Sequence, residues 1–361
     1  AHPPPSMFSL WHKVALALTA ISSACPIMHG VHLILTLAQQ LIGLTPPSQL
    51  LILTSGGLAF EASYSSEAHG STWGLARVLR LEHSALHTQN ANVCHLVSSS
   101  APLALSVTTP EAEAAWCGAE HAAARLRACG APSVQDGVLT HGLNAITGGL
   151  GGLGLRAAAL LAERGADTVL LASRSGRLTR DGQSLDVQLR SMRTIVLLLA
   201  CDSADARDAS EFISAHPPSG LLHAAGVGDK GLLVELEARR LQWMHASKAA
   251  GSWHLQCASA TVPLRSRVLF SSVGSGLGNV GQASYASANA YLDAHGRSRR
   301  AVGMAACSVQ WPLVGGAGMG AAAFAAMCGR QVTIAGLAGI SLEEYATCLT
   351  VQLATVASMV L

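Results

Sequence analysis

The chain has 361 residues, half of them hydrophobic and 12% charged, with a formal net charge of +2. That is ample apolar material for one large domain or two smaller ones, and it leaves little room for general disorder. Lys and Arg are scattered rather than clustered, so nothing points to a nucleic-acid surface. The nine Cys show neither C-x-x-C nor metal-ligand spacing, which suits reduced thiols in a cytoplasmic, reducing compartment.

The N-terminal stretch AHPPP has no initiator Met, as expected of a piece of a longer polypeptide. From Met7 through Lys13 into VALALTAISSAC, a basic residue, a short apolar run and small residues imitate a secretory signal. The preferred reading is a buried helix of a truncated first domain. No apolar run reaches membrane-spanning length, so no membrane partner is expected.

LLILTS at 50–55 reads as a buried strand. STWGLARVLRLEH at 71–83 reads as a helix, with Trp73, Leu75, Leu79 and Leu81 supplying apolar surface and Arg77, Arg80 and Glu82 facing outward. His83 and His87 stand at helical spacing but lack the Glu of a zinc-protease motif and a third ligand. They are expected to be helix-surface histidines, and no metal is expected. CGAPSVQDG at 129–137 has the composition of a connector. It divides the chain into residues 1–135 and 136–361.

The second part alternates strand-like and helix-like stretches. Strands are expected at LNAIT, TVLLAS (168–173), TIVLLLA (194–200), GLLHAAG (220–226), RVLFSS (267–272) and MAACSVQW (304–311). Between them lie a helix through LRAAALLAERG, a polar helix near 182–192, and helical stretches over 234–256 and 281–299. Such alternation predicts an α/β fold, a doubly wound parallel sheet covered by helices on both faces. Ligands of such sheets bind outside the carboxyl ends of the strands.

TGGLGGLG, Thr147 to Gly154, follows a strand, precedes a helix and contains G-x-G-x-x-G at Gly149, Gly151 and Gly154. With 36 glycines in the chain the fingerprint alone is weak, but its strand–turn–helix setting makes it strong. Glycine lets the backbone approach a pyrophosphate, and the helix start offers free N–H groups to the anion. After the next strand, where an NADH enzyme places Asp or Glu, the chain reads ASRSG with Arg174. A guanidinium suits a 2′-phosphate, so the expected cofactor is NADPH. Asp202, in LLACDSAD, stands where it could accept from the adenine amino group, or serve simply as a turn residue.

SYASANAYLD, 284–293, holds two of the four tyrosines. Carbonyl reduction needs a hydride and a proton for the forming alkoxide. A phenol suits the second task better when a nearby cation lowers its pKa. Tyr285 is the expected proton donor, Ser272 the group orienting the carbonyl, Asn289 a neighbour one turn along the helix, and Lys248, in MHASKAAGSWHL, the cation.

Strand–TGGLGGLG–helix, HAAG, FSS and GQASYASAN together resemble the short-chain dehydrogenase/reductase superfamily. That superfamily usually has Lys four residues after the Tyr. Here Asn289 stands there and a Lys lies in the preceding helix, the exchange found in ketoreductase domains of modular polyketide synthases and in the related fatty acid synthase domain. The resemblance extends over nearly the whole chain. STWGLARVLRLEH is similar to a helix of the family's structural subdomain, a truncated Rossmann-like half that binds no cofactor. The resemblance implies that Lys248, Ser272, Tyr285 and Asn289 are catalytic, with Lys248 and Asn289 lowering the phenol pKa and holding a proton-relay water. It also implies cofactor contacts at Thr147, Gly148, Gly149, Gly151, Gly152, Leu153 and Gly154, at Ser173, Arg174 and Asp202, and at Ala224, Ala225 and Gly226. The implied activity is NADPH-dependent reduction of a β-ketoacyl thioester on an acyl carrier protein, beside neighbouring synthase domains.

Three features depart from the family. Gly228, Asp229 and Lys230 replace its frequent Leu-Asp-Asp, the tryptophan of the other stereochemical class is absent near Leu277, and QWPLVGGAGM lacks the Gly after the Trp. The handedness of the alcohol is therefore not assigned. Neither a phosphopantetheine-bearing Ser motif nor a condensing-enzyme Cys motif is apparent. The competing expectations are a catalytically silent scaffold domain and a free-standing alcohol dehydrogenase.

Overall fold

A computed structural model of the chain describes residues 12–18, 28–45, 48–55, 67–93, 111–117, 120–128, 141–177, 185–316 and 339–357, with 320, 321 and 325. The connector at 129–137 and the boundary at 135 lie outside the described residues.

Two sheets organise the structure. The first runs in the order β1 (His12–Leu18), β2 (Ser48–Ser55), β3 (Gln89–Val93), β4 (Glu113–Cys117) and β5 (Glu120–Ala122). Its first four strands are parallel and β5 is antiparallel. The segment expected to be a buried helix is thus an edge strand, paired with β2 from His12↔Ser48 to Leu18↔Thr54. Side-chain size alternates along it. Val14, Leu16 and Leu18 join the core while Ala15 and Ala17 are exposed, a period of two that belongs to a strand.

The second sheet is entirely parallel, in the order β11 (Ala306–Trp311), β10 (Ser266–Ser272), β9 (Gly220–His223), β6 (Leu143–Thr147), β7 (Thr168–Ser173), β8 (Ile195–Ala200). This is the strand order of the Rossmann fold, and the order reverses between β6 and β9. Both faces are covered, so the strands read as apolar runs rather than alternating ones. One face packs under α3 (Gly152–Glu163) and α10 (Leu342–Ala357), with Ile146, Leu171, Val268 and Tyr345 in its core. The other packs under α5 (Ala206–Ala215) and α7 (Gly251–Ala258) through Ala145, Leu170, Leu221, Phe212 and Leu255. A short helix, α4 (Leu185–Ser191), precedes β8.

The helical stretch expected over 234–256 is not one helix. It is a 3₁₀ turn at Leu233–Glu235, α6 (Ala238–His245), a π turn at Ala246–Ala250, then α7. The short α8 (Val273–Leu277) leads to α9 (Ala283–Ala301).

Helices α1 (Met28–Leu41) and α2 (Gly70–Glu82) join the two sheets. Their apolar faces share a core with Leu50 and Ile52 of β2 and with Leu233, Leu241, Ala283 and Ala286 of the second unit. Helix α2 lies against α9 at very short range. A Cβ on Gly74 would stand 2.2 Å from the Ala286 carbonyl oxygen, and one on Gly70 would stand 2.4 Å from the Ala294 Cβ. The alanines and serines around Tyr285 therefore have a packing reason: two helices approach too closely for larger side chains.

The charged residues of α2 do not face outward as expected. Arg77 and Arg80 are only partly exposed, and both bind the Glu113 carboxylate of β4. Burial raises the Glu113 carboxyl's pKa, but its hydrogen bonds and ion pairs with the two arginines outweigh this and leave it below the ordinary range. Leu81, expected inside, is instead exposed. His83 ends α2 and His87 adopts a left-handed conformation after a 3₁₀ turn, so the two histidines do not share a helix face.

Candidate active site

The glycine turn leaves β6 at the switch point. Gly148 has φ +69°, and a Cβ there would meet the backbone of Ala225 at 2.7 Å and the Ala224 carbonyl carbon at 2.8 Å. Only glycine fits both demands. Gly154 lies inside the same turn, its virtual Cβ 2.5 Å from the Gly148 oxygen. The turn and the 224–226 segment therefore close on each other, and α3 begins at Gly152 beside them.

A cleft of about 2300 Å³ opens there, lined by Thr147, Gly148, Gly151, Gly152, Leu153 and Gly154. Ser173, Arg174, Asp202 and the Ala224–Gly226 segment line it too, as do Lys248, Ser272 and Tyr285. Residues drawn from seven segments thus converge at the carboxyl ends of the strands. Two expected site residues do not reach the cleft wall. Gly149 sits beneath the turn, its virtual Cβ 2.9 Å from Leu171 and from the Ile146 oxygen, so it serves strand–helix packing. Asn289 is fully buried. Its amide donates to the Tyr285 carbonyl at 2.9 Å, and its Oδ1 has no partner among the described residues.

Arg174 is exposed at the end of β7, with no ion-pair partner among the described residues. Asp202 is more committed. Its Oδ1 accepts from the Ala204 N–H at 3.0 Å, and its own N–H donates to Asp208 at 2.9 Å. The turn reading of Asp202 is therefore satisfied locally, on a residue that also lines the cleft.

Lys248 lies within the π turn, 3% exposed. A π turn adds a residue to the helical repeat and rotates the residues beyond it, a device concentrated at functional sites. Here it turns the Lys248 side chain beneath the cleft, where Nζ donates to the Phe270 carbonyl at 3.1 Å and stands 5.5 Å from the centre of the Tyr285 ring. Burial pulls the ammonium down to about 8, against the smaller upward pull of Asp293.

Ser272 ends β10 and caps α8, its Oγ accepting from the Gly274 N–H at 3.3 Å. Burial pushes the Tyr285 phenol up, and hydrogen bonding with the Ser272 and Asn289 side chains recovers only part of that rise. Lys248, 5.5 Å from the ring centre, does not offset that rise. The ammonium is engaged by a backbone carbonyl, and desolvation of the phenolate is the larger effect.

His223 escaped the sequence reading. It ends β9 opposite Thr147, is buried, and contacts the Thr147 hydroxyl through Nδ1 at 2.7 Å and the Lys248 carbonyl through Nε2 at 3.1 Å. It thus joins the glycine turn's strand to the π turn. Burial and the nearby Lys248 charge drive its pKa down to about 3, so it is neutral. The available signal was a histidine at the carboxyl end of an apolar strand, the opening residue of HAAG.

Comparison with known proteins agrees with this geometry. The KR domain family model matches residues 142–316. The polyketide synthase GfsB of Streptomyces halstedii is 34% identical over 307 residues, which cover 79% of this chain and 6% of that protein. An A-type ketoreductase from a modular polyketide synthase superposes with a TM-score of 0.78 at 32% identity, covering 89% of this chain and 70% of that one. An A1-type ketoreductase gives 0.77 at 31%, with the same coverage. The chain spans less than a tenth of the length of the first curated relatives it matches. Fold and site thus define a Rossmann-type oxidoreductase that reduces a keto group, a class that binds nicotinamide cofactors. The chain belongs to the ketoreductase domains of modular polyketide synthases.

Proposed function

We propose that this chain reduces the β-keto group of an acyl thioester, presented on an acyl carrier protein, with NADPH as reductant. The observation that carries the reading is the convergence of Lys248, Ser272 and Tyr285 on the cleft that also holds the glycine turn.

In this reading residues 1–135 form a unit that binds no cofactor and 136–361 form the catalytic unit, within a larger cytoplasmic synthase. The turn from Thr147 to Gly154 would hold the pyrophosphate, with bare backbone where a Cβ would clash. Ser173 and Arg174 would take the adenosine end, the guanidinium facing a 2′-phosphate. Asp202 would flank the adenine, and Ala224–Gly226 would give the nicotinamide side a wall without bulky side chains. When bound, the nicotinamide supplies the hydride to the β-carbon.

The chain's own residues supply the rest. Ser272 Oγ would donate to the substrate carbonyl oxygen and fix its direction. Tyr285, whose raised pKa keeps it protonated at neutral pH, would pass its hydroxyl proton to that oxygen as the C–O bond becomes an alcohol. Lys248 would stabilise the phenolate left behind, the proton would return from solvent through the cleft, and Asn289, buried beneath it, would hold the first turn of α9 through its bond to the Tyr285 carbonyl.

Mixing the chain with NADPH and a β-ketoacyl thioester, on a carrier or on a pantetheine mimic, should consume nicotinamide absorbance and yield the β-hydroxy product. Tight NADPH binding with no turnover on either substrate would favour a silent scaffold domain. Equal turnover of carrier-bound and free small ketones would remove the carrier from the proposal.

A further inference from the structure

The substrate side of the cleft is walled by two loops, residues 229–232 and 278–282, both lining it beside Tyr285. They touch through a bond from the Gly231 N–H to the Gly281 carbonyl at 2.9 Å and a bridge from Gly231 to Gln282. Within its own unit the first loop is tied at Asp229, which accepts from Ser284 at 2.9 Å and pairs with Arg240, and the helices of the first sheet add a second anchor that reaches both loops. Glu82, the last residue of α2, accepts from the Leu233 N–H through Oε2 at 2.7 Å and from the Gly281 N–H through Oε1 at 2.8 Å. From α1, Gln39 Nε2 donates to the Leu233 and Leu236 carbonyls at 3.0 and 3.1 Å. One carboxylate therefore ties the second loop to Leu233, the residue that follows the first loop, with Leu233 also gripped at its carbonyl.

We propose that Glu82 is a positioning residue for carbonyl reduction, clamping the two loops so that the substrate meets Tyr285 at the right distance. This role rests on the reductase reading above. The chemistry favours a carboxylate. It offers two acceptor oxygens, whereas an amide would offer one and turn an NH₂ group toward the other backbone N–H. Hydrogen bonds to a charged acceptor are also stronger than neutral ones. Gly281, with φ +75°, begins the entry to α9 four residues before Tyr285. A shift at its N–H thus passes directly to the start of the helix that carries the proton donor. The cofactor turn lies outside this clamp, so substrate geometry and cofactor affinity separate.

Glu82→Gln and Glu82→Ala in the whole chain test the role. The expected result is a roughly 10- to 100-fold loss in kcat/KM for the ketone, the scale of a small misplacement of reacting groups. NADPH affinity should change by less than about twofold, and amide exchange at Leu233 and Gly281 should accelerate. Kinetic constants within about twofold of wild type, or NADPH affinity and thermal stability falling in step with turnover, would overturn it. A wild-type chain that does not reduce the ketone removes the reductase reading and this role with it. Exchange at the two amides then still reports whether the clamp itself exists.

Discussion

Gly226 and Lys248 are in direct contact: a Cβ on residue 226 would stand 2.8 Å from the lysine Cε and 3.1 Å from its Nζ. The ammonium reaches the Phe270 carbonyl because the strand end beside it has no side chain. Gly226→Ala should therefore displace the lysine rather than the backbone, since the clashing atoms are the far end of a flexible chain. Turnover should fall by about tenfold while folding changes by only about 1 kcal/mol. Adding the change to Lys248→Ala should cost little more, and full additivity of the two losses would show that the contact is unimportant.

Tyr285→Phe removes the proposed proton donor and leaves the ring. Removing a positioned general acid typically costs 10²–10⁴-fold, and a loss of about that size is expected in kcat. Cofactor affinity should be close to unchanged, because Tyr285 does not belong to the glycine turn. Normal turnover in the phenylalanine variant would end the assignment.

Gly148→Ala and Gly165→Ala separate strain from collision. Both glycines have positive φ, +69° and +86°, but a Cβ at 148 meets backbone at 2.7 Å while at 165 nothing lies within 4 Å. The substitution at 165 should cost about 1 kcal/mol of stability from backbone strain alone. The one at 148 should cost more and also abolish nicotinamide binding, as measured by denaturation and by cofactor fluorescence. Equal effects at the two positions would argue against a tight closure between the turn and the 224–226 segment.

Arg174→Ala should weaken NADPH far more than NADH. The guanidinium's proposed partner is the 2′-phosphate, and charge-assisted contacts of this kind contribute about 1.5–3 kcal/mol each. Titration with both nucleotides reads the difference directly. Parallel losses would mean that Arg174 merely caps its loop.

The buried histidines set an acid limit. His223 and His245 are held at about 3 and about 4 by desolvation, below the ordinary imidazole value near 6.5. Between those values the unfolded chain binds protons that the folded chain does not, so stability rises with pH there and falls on acidification. Urea midpoints should drop steadily below about pH 6.5. His223→Gln should flatten that slope, at some cost in overall stability from the altered contacts to Thr147 and Lys248. An unchanged slope would show that His223 is not buried as a neutral ring.

The sequence by itself determined the second sheet almost completely. Its inner strands are buried on both faces and so appear as unbroken apolar runs, while glycines mark the turn that no other residue could form. It also named residues that meet in the cleft, among them Lys248, Ser272 and Tyr285, because these side chains have few structural substitutes. What tertiary structure alone decided are relationships between distant segments. The pairing of His12–Leu18 with β2 makes a strand of a run expected to be a helix. The approach of Gly74 to Ala286 gives the small residues around Tyr285 a packing purpose. Arg77 and Arg80 turn inward because Glu113 waits on another strand, and the π turn places Lys248 through a local rotation that composition does not encode. Local patterns report burial and backbone freedom. Which buried group meets which depends on where other segments lie, and that only the tertiary structure decides.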